Sequence, residues 1–343
     1  MVRIVGLVAA ALVMIGAVVF LPRALLERAI AAEDAAFAAE EPGPPAPEVL
    51  AVALSSDGRR LAVGGKSARI LLLDAETGAH TSSLELEDDW VTALGWSAQG
   101  RWVGGVGHRG RARIWDATTG APVYGSPAGA HATALAFKPI GPTVVWGDRA
   151  GTLQVVHLEG QRNGGRFIGL EGEAISSIAF TSDGGRLAVG TEAGTIALFE
   201  VTSGGLLWTA PAHRGAVTGV SVPPDTDLLI TSGHDGAVRV WSMGLAPELA
   251  NERVPIRGRW LASAVLGGHE RFVAGGTDGA LHAWTFAGEQ SVDTAPGGWT
   301  RSISASAAGD RFVTGGGDRV LVWRGVDLAL ERTISVGSEL VAP

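Results

Sequence analysis

The residues best equipped for chemistry in this 343-residue chain sit in short glycine-bounded stretches. "GHDGAVRVWS", Gly233 to Ser242, brings His234, Asp235 and Trp241 close together in sequence. A histidine beside a carboxylate is an acid–base or metal-ligand pair when further ligands converge on it. "GVGHRG", Gly105 to Gly110, has the glycine spacing of a dinucleotide-binding loop. That chemistry needs a helix directly after the glycines to offer its N-terminus to a pyrophosphate. Here "RARIWD" follows, which reads as a strand, so the glycines mark a turn. "GGKSA", around Lys66, matches the end of a phosphate-binding loop, but Arg60 stands where that loop needs its first glycine. No G-x-S-x-G elbow and no H-E-x-x-H helix occurs. There are no cysteines, which removes thiolate ligands, thiol nucleophiles and disulfides. We therefore expect no catalytic residues, no metal and no cofactor.

The elements that hold these stretches are strands and turns. Glycine is abundant, at 50 residues, and 46% of the chain is hydrophobic, the composition of many short strands joined tightly. The net charge of −8 argues against nucleic acid as a partner. "HRGRAR", His108 to Arg113, is basic but has no interleaved aromatics, and it reads as a solvated turn.

From residue 48 the chain repeats an alternating strand, a polar turn and a second strand, as in "AVALSSDGRRLAVGG" and "SIAFTSDGGRLAVG". With Gly58 as the mark, equivalents fall at 100, 141, 184, 226, 269 and 309. A period of about 40–45 residues is that of a four-stranded propeller blade. The third strand of each unit closes on a large apolar residue: Leu73, Trp115, Val156, Phe199, Trp241, Trp284 or Trp323.

These units resemble the WD40 family over residues 48–338, with the family's dipeptide intact once, at Trp115-Asp116. The resemblance implies an all-β fold, a seven-bladed β-propeller over residues 48–343. It also implies a structural tetrad of His213, Thr231, Asp235 and Trp241, in which His213 lies thirteen residues before its mark. On this reading "GHDGAVRVWS" is scaffolding that clips a loop to its blade. No other unit has the full set: Ile256 holds the histidine position beside Asp278 and Trp284, and Asp318 sits in a shortened turn. "LERTISV" supplies a fourth strand after Trp323, so we expect the ring to close by packing of first and last blades without a shared strand.

The resemblance also places the positions ten before each mark around one channel mouth: Glu48, Trp90, His131, Ala174, Ala216, Arg259 and Trp299, with Trp260 beside Arg259. Tryptophan and arginine dominate protein interfaces energetically. Trp90, Arg259, Trp260 and Trp299 are therefore the expected protein-docking patch. Packing of each tryptophan on a neighbouring loop is the competing reading.

Before the repeats, Ile4 to Leu21 carries no charge, and as a helix it would span about 27 Å, close to a bilayer core. Residues 1–22 are expected to be a transmembrane signal-anchor helix, and 23–47 a helical, then proline-rich, stalk. Flanking charges are nearly balanced; a large domain behind one segment favours the non-cytoplasmic (periplasmic) side. The whole reads as a non-catalytic scaffold or accessory subunit of a membrane protein complex. The alternatives are a ligand-binding or enzymatic propeller using Glu48, His131 and Arg259 in its channel, and a cytoplasm-facing signalling scaffold.

Overall fold

Period-2 alternation between short polar turns gives antiparallel hairpins, and their repetition gives sheets of equal size. The computed structural model describes residues 48–343 apart from 88–89, 160–161, 245, 254–260, 267–270, 278, 286–287, 293–297, 338–339 and 341–343. Among the described residues, 28 strands run from β1 (Val49–Leu54) to β28 (Leu330–Ser335) in seven four-stranded antiparallel sheets. The sheets correspond one to one with the repeat units. The first is β1, β2 (Arg60–Gly65), β3 (Arg69–Asp74) and β4 (His80–Glu85), ordered as in the chain. No helix among the described residues is long and apolar enough to cross a membrane; the apolar run 4–21 and the stalk lie outside them.

The mark is a turn device. Gly58 N–H donates to Ser55 O (2.8 Å), and Gly58 adopts φ +69°, where L side chains are strained. Gly100, Gly184 and Gly309 repeat both features. In the fifth blade the left-handed residue is Asp225 (φ +57°), one ahead of Thr226. The third-strand apolar residues Leu73, Trp115, Val156, Phe199, Trp241, Trp284 and Trp323 are all buried. Phe272 and Phe312 stack on Trp284 and Trp323, with ring centroids 5.2 and 5.9 Å apart.

Each inner strand faces the channel with one edge unpaired, so its N–H groups need partners from elsewhere. The preceding blade supplies some. Ser302 Oγ accepts from Val52 N–H (3.1 Å), Ser304 Oγ from Leu54 N–H (3.0 Å), and Ser177 Oγ from Val220 N–H (3.1 Å). Seven residues before their marks stand Ala51, Ala93, Ala134, Ser177, Gly219 and Ser302, small enough for neighbouring strands to approach. On the face opposite the mouth, Arg60, Arg186, Arg271 and Arg311 lie two residues past their marks. They donate to carbonyls of the following blade at Gly100, Met243, Val326 and Gly58 (2.6–3.2 Å).

The ring closes without a shared strand: each sheet, the last included, is built from four consecutive strands. First and last blades share one core, with Val49, Val52, Leu61 and Val63 against Val313, Val320, Val322 and Ile334. Val49 N–H donates to Gly317 O (2.7 Å) and Ala307 N–H to Ser56 O (3.0 Å). Replacing Ser302 or Ser304 with alanine strands a seam donor, and each change should lower unfolding free energy by about 1–2 kcal/mol. Urea unfolding checks this; an unchanged midpoint would mean that channel water substitutes for the hydroxyls.

Candidate functional site

The bottom of each mouth loop is set by a bulge. In five blades the first strand shifts register one residue in, leaving Leu50, Thr92, Thr133, Ser176 and Thr218 unpaired across the ladder. An extra residue re-aims its side chain. These five, with Arg301 at the equivalent position of the last blade, line the wide mouth of the channel, a cavity of about 870 Å³. Thr92 and Thr133 hold their bulges by donating to Val106 O and Gly147 O (both 3.2 Å). A narrower space of about 490 Å³ is lined by the first strands themselves.

A second ring stands eight residues after the marks: Lys66, His108, Arg149, Glu192 and His234 all border the mouth. Their backbone N–H groups donate to the carbonyls of Glu48, Trp90, His131, Ala174 and Ala216 (2.8–3.1 Å). Each loop is thus tied to the end of the second strand, and both rings are held on β-sheet. The sequence reading missed this second ring, although counting forward from the mark, as it counted backward, finds it.

Trp90 is 44% exposed at this mouth. The Lys66 ammonium lies 5.7 Å from its ring centroid, and the His108 ring lies 5.3 Å away. Cation–π contact at such a distance holds the indole without burying it. Glu48 is 2% exposed, with Lys66 Nζ at 2.7 Å and Arg301 Nε at 3.3 Å. It is a compensated buried carboxylate that joins the first blade to the last. Burial holds the His234 imidazole below its ordinary value; Glu192 pulls it up and Arg301 pushes it down. It is therefore neutral at pH 7.

Of the expected docking residues, Trp90 and Trp299 are among the described ones. Trp299 is half-buried and lines a small separate pocket with Thr314, Gly316 and Arg319, while Arg259 and Trp260 lie outside the described residues. A Cβ on Gly316 would meet Trp299 O at 1.7 Å, so this loop, like that of Glu48 against Gly65 (2.0 Å), is pressed onto its own second strand. Of the channel candidates, Glu48 is neutralised, Arg259 lies outside the described residues, and His131 is an exposed left-handed corner (φ +52°). "GVGHRG" does turn between strands, with Gly110 N–H donating to Gly107 O (2.9 Å). Arg111 and Arg113, in the basic cluster, both bind Glu87.

His213, Thr231, Asp235 and Trp241 do meet. They are carried by the loop before β17 (Val217–Ser221), by β18 (Leu228–Gly233), by the following turn and by β19 (Val238–Ser242). His213 Nδ1 lies 2.8 Å from Asp235 Oδ1, and Nε2 lies 2.9 Å from Thr231 Oγ1, which accepts from Trp241 Nε1–H (3.0 Å). The two ring nitrogens of His213 thus bridge Asp235 and Thr231, and Arg239 Nη1 lies 2.7 Å from Nδ1 as well. Asp235 Oδ2 also accepts from Arg214 N–H (3.0 Å) and Arg239 Nη1 (2.8 Å). Gly233 makes the seat: a Cβ there would lie 2.4 Å from the His213 ring. The last blade keeps a fragment, Trp323 Nε1–H donating to Thr314 Oγ1 (3.1 Å). Among the described residues no group of three or more His, Asp or Glu side chains is arranged to hold a metal.

A profile described as "WD domain, G-beta repeat" matches residues 204–242, the blade of the tetrad, and "Anaphase-promoting complex subunit 4 WD40 domain" matches 34–99. Repeat profile and propeller topology together support the WD40 repeat family. Telomerase protein component 1 of Mus musculus is 24% identical, over 70% of this chain and 12% of its own length. Protein LST8 homolog of Drosophila melanogaster is 25% identical, over 57% of this chain and 65% of its own. Among solved structures, one described as "Crystal Structure of Mitotic Checkpoint Complex" superposes with a TM-score of 0.70 at 20% identity, covering 80% of this chain and 89% of that one. This WD40-type chain thus spans less than two thirds of either relative, and the structural likeness speaks to fold alone.

The tetrad makes a pH prediction. Burial alone would raise the Asp235 carboxyl, but hydrogen bonds from Arg239, His213 and Arg214 N–H outweigh it and bring it down to about 2. A depressed carboxylate stabilises the fold above its unfolded value and loses that contribution as pH falls through the folded one. Between about pH 4 and pH 2 the wild type should lose about 2 kcal/mol more than Asp235→Asn. Parallel stability curves for the two proteins would contradict the clip.

Proposed function

We propose that this chain is a non-catalytic protein-interaction scaffold that receives a partner protein at the channel mouth. The observation that carries the reading is Trp90, 44% exposed beside a cavity of about 870 Å³ and supported by a rigid ring of strands. An aromatic held in place by Lys66 and His108 costs little entropy to bury, which is how interface anchors act. The WD40 character of the repeats supports the same reading: the Mus musculus and Drosophila melanogaster relatives resemble it in the repeat region, and a structure of a multi-protein complex contains a similar fold. The alternative, catalysis or ligand binding in the channel, has less behind it because Glu48 is already paired twice.

The fuller reading adds a membrane. The uncharged run Ile4 to Leu21 is long enough to span a bilayer core, and we place the propeller behind it as an accessory subunit of a membrane complex, on the non-cytoplasmic side. Carbonate washing of membranes that contain the full chain should leave it in the pellet. Release into the supernatant would remove the anchor from the account.

Trp90→Ala tests the docking role. The mutant should unfold within about 0.5 kcal/mol of wild type, since surface changes away from core and caps are small. Its affinity for a co-purified partner should fall by about tenfold or more, the loss of a hot-spot aromatic. Full affinity with lowered stability would make Trp90 a packing residue.

A further inference from the structure

We propose that the partner segment received at this mouth is acidic: a run of Asp and Glu side chains held by Arg149, Lys66 and Arg301, with Trp90 packing on its apolar stems. The inference rests on the docking reading above and names the chemistry of the docked segment. Its basis is a local reversal of charge. The chain as a whole carries −8, yet among the described residues lining the mouth Lys66, Arg149 and Arg301 stand against one exposed carboxylate, Glu192. Arg301, Lys66, His108 and Arg149 come from the last blade and the first three in turn, so the basic groups form one arc.

Within that arc the buried Glu48 carboxylate lies against both cations, Lys66 at 2.7 Å and Arg301 at 3.3 Å. It also fixes them: both side chains are about one-third exposed, Lys66 at 32% and Arg301 at 28%. Arg149 is exposed, with no ion pair among the described residues, and is left to bind something else. A concave site walled by protein concentrates the field of its charges and steers oppositely charged ligands into it. Around the same mouth the Thr92, Thr133 and Ser176 hydroxyls already donate to backbone carbonyls, which leaves their oxygens to accept from backbone N–H groups of a docked segment. At about 870 Å³ the space takes an extended or turning segment of a few residues. Nucleic acid fits less well, because three cations on a chain of net −8 offer little to a phosphate backbone, and Trp90 alone offers no series of stacking platforms.

The test uses the full chain in mild detergent and labelled hexaglutamate, hexaglutamine and the oligonucleotide (dT)6, followed by fluorescence anisotropy. Hexaglutamate should bind, and weaken by about tenfold between 50 and 300 mM salt as screening grows. Arg149→Glu should weaken it by about tenfold or more with an unchanged thermal midpoint, and Glu192→Gln should strengthen it a few-fold. Equal binding of hexaglutamine, tighter binding of (dT)6, or indifference to Arg149→Glu would overturn the inference. The two readings fail differently. If Arg149→Glu keeps a co-purified partner bound while Trp90→Ala releases it, the acidic inference falls and the mouth remains the docking site. If neither change releases it, both fall.

Discussion

Seven radial sheets meet at their innermost strands, and every such strand has one edge that no ladder can pair. The fold depends on how that edge is satisfied. Small residues let adjacent strands come close, serines from one blade accept N–H groups of the next, and large third-strand side chains fill the wedge further out. The seam between first and last blades is held by the same means, with a shared apolar core and the Ser302 and Ser304 hydroxyls, rather than by an exchanged strand. Unpaired buried donors are costly and hydrogen-bonded ones nearly neutral, so the seam is only as good as its side chains.

The same edge creates the candidate site. Where the inner strands begin, a bulge interrupts pairing and points one residue per blade towards the mouth, and the end of the second strand brings another beside it. Sites built on sheet ends are held more firmly than sites on free loops. Glu48 links the two themes: it closes the ring against Arg301 and orders Lys66, which in turn lies over Trp90. The tetrad around His213 works at one blade only. It fastens a loop through a buried chain of hydrogen bonds ending on a strongly ionised Asp235.

Much of this was legible in the chain because it recurs. The Gly58 period located the turns and the large third-strand residues, and the WD40 resemblance implied the His213 set. The docking patch was less legible. Offset alone placed Trp90 and Trp299 as equivalents, but it could not show that Trp90 would stand 44% exposed while Trp299 is half-buried beside Thr314 and Arg319. The ring of Lys66, His108, Arg149, Glu192 and His234 was present in the sequence at a constant offset. It went unread because its residue types vary in charge and look like ordinary turn polarity. Nor could sequence show that Glu48, a promising channel acid, would be neutralised by two cations, one of them 253 residues away.

The central claim is that partners dock at the mouth rather than on the outer wall, where Leu206 and Leu249 are also exposed. The most direct measurement is site-specific photocrosslinking in intact cells, with a photoreactive amino acid at position 90 in one protein and at position 249 in another. The account predicts a discrete crosslinked protein from position 90 and none from 249. A product from 249 alone would contradict it and move the interface to the rim of the blades.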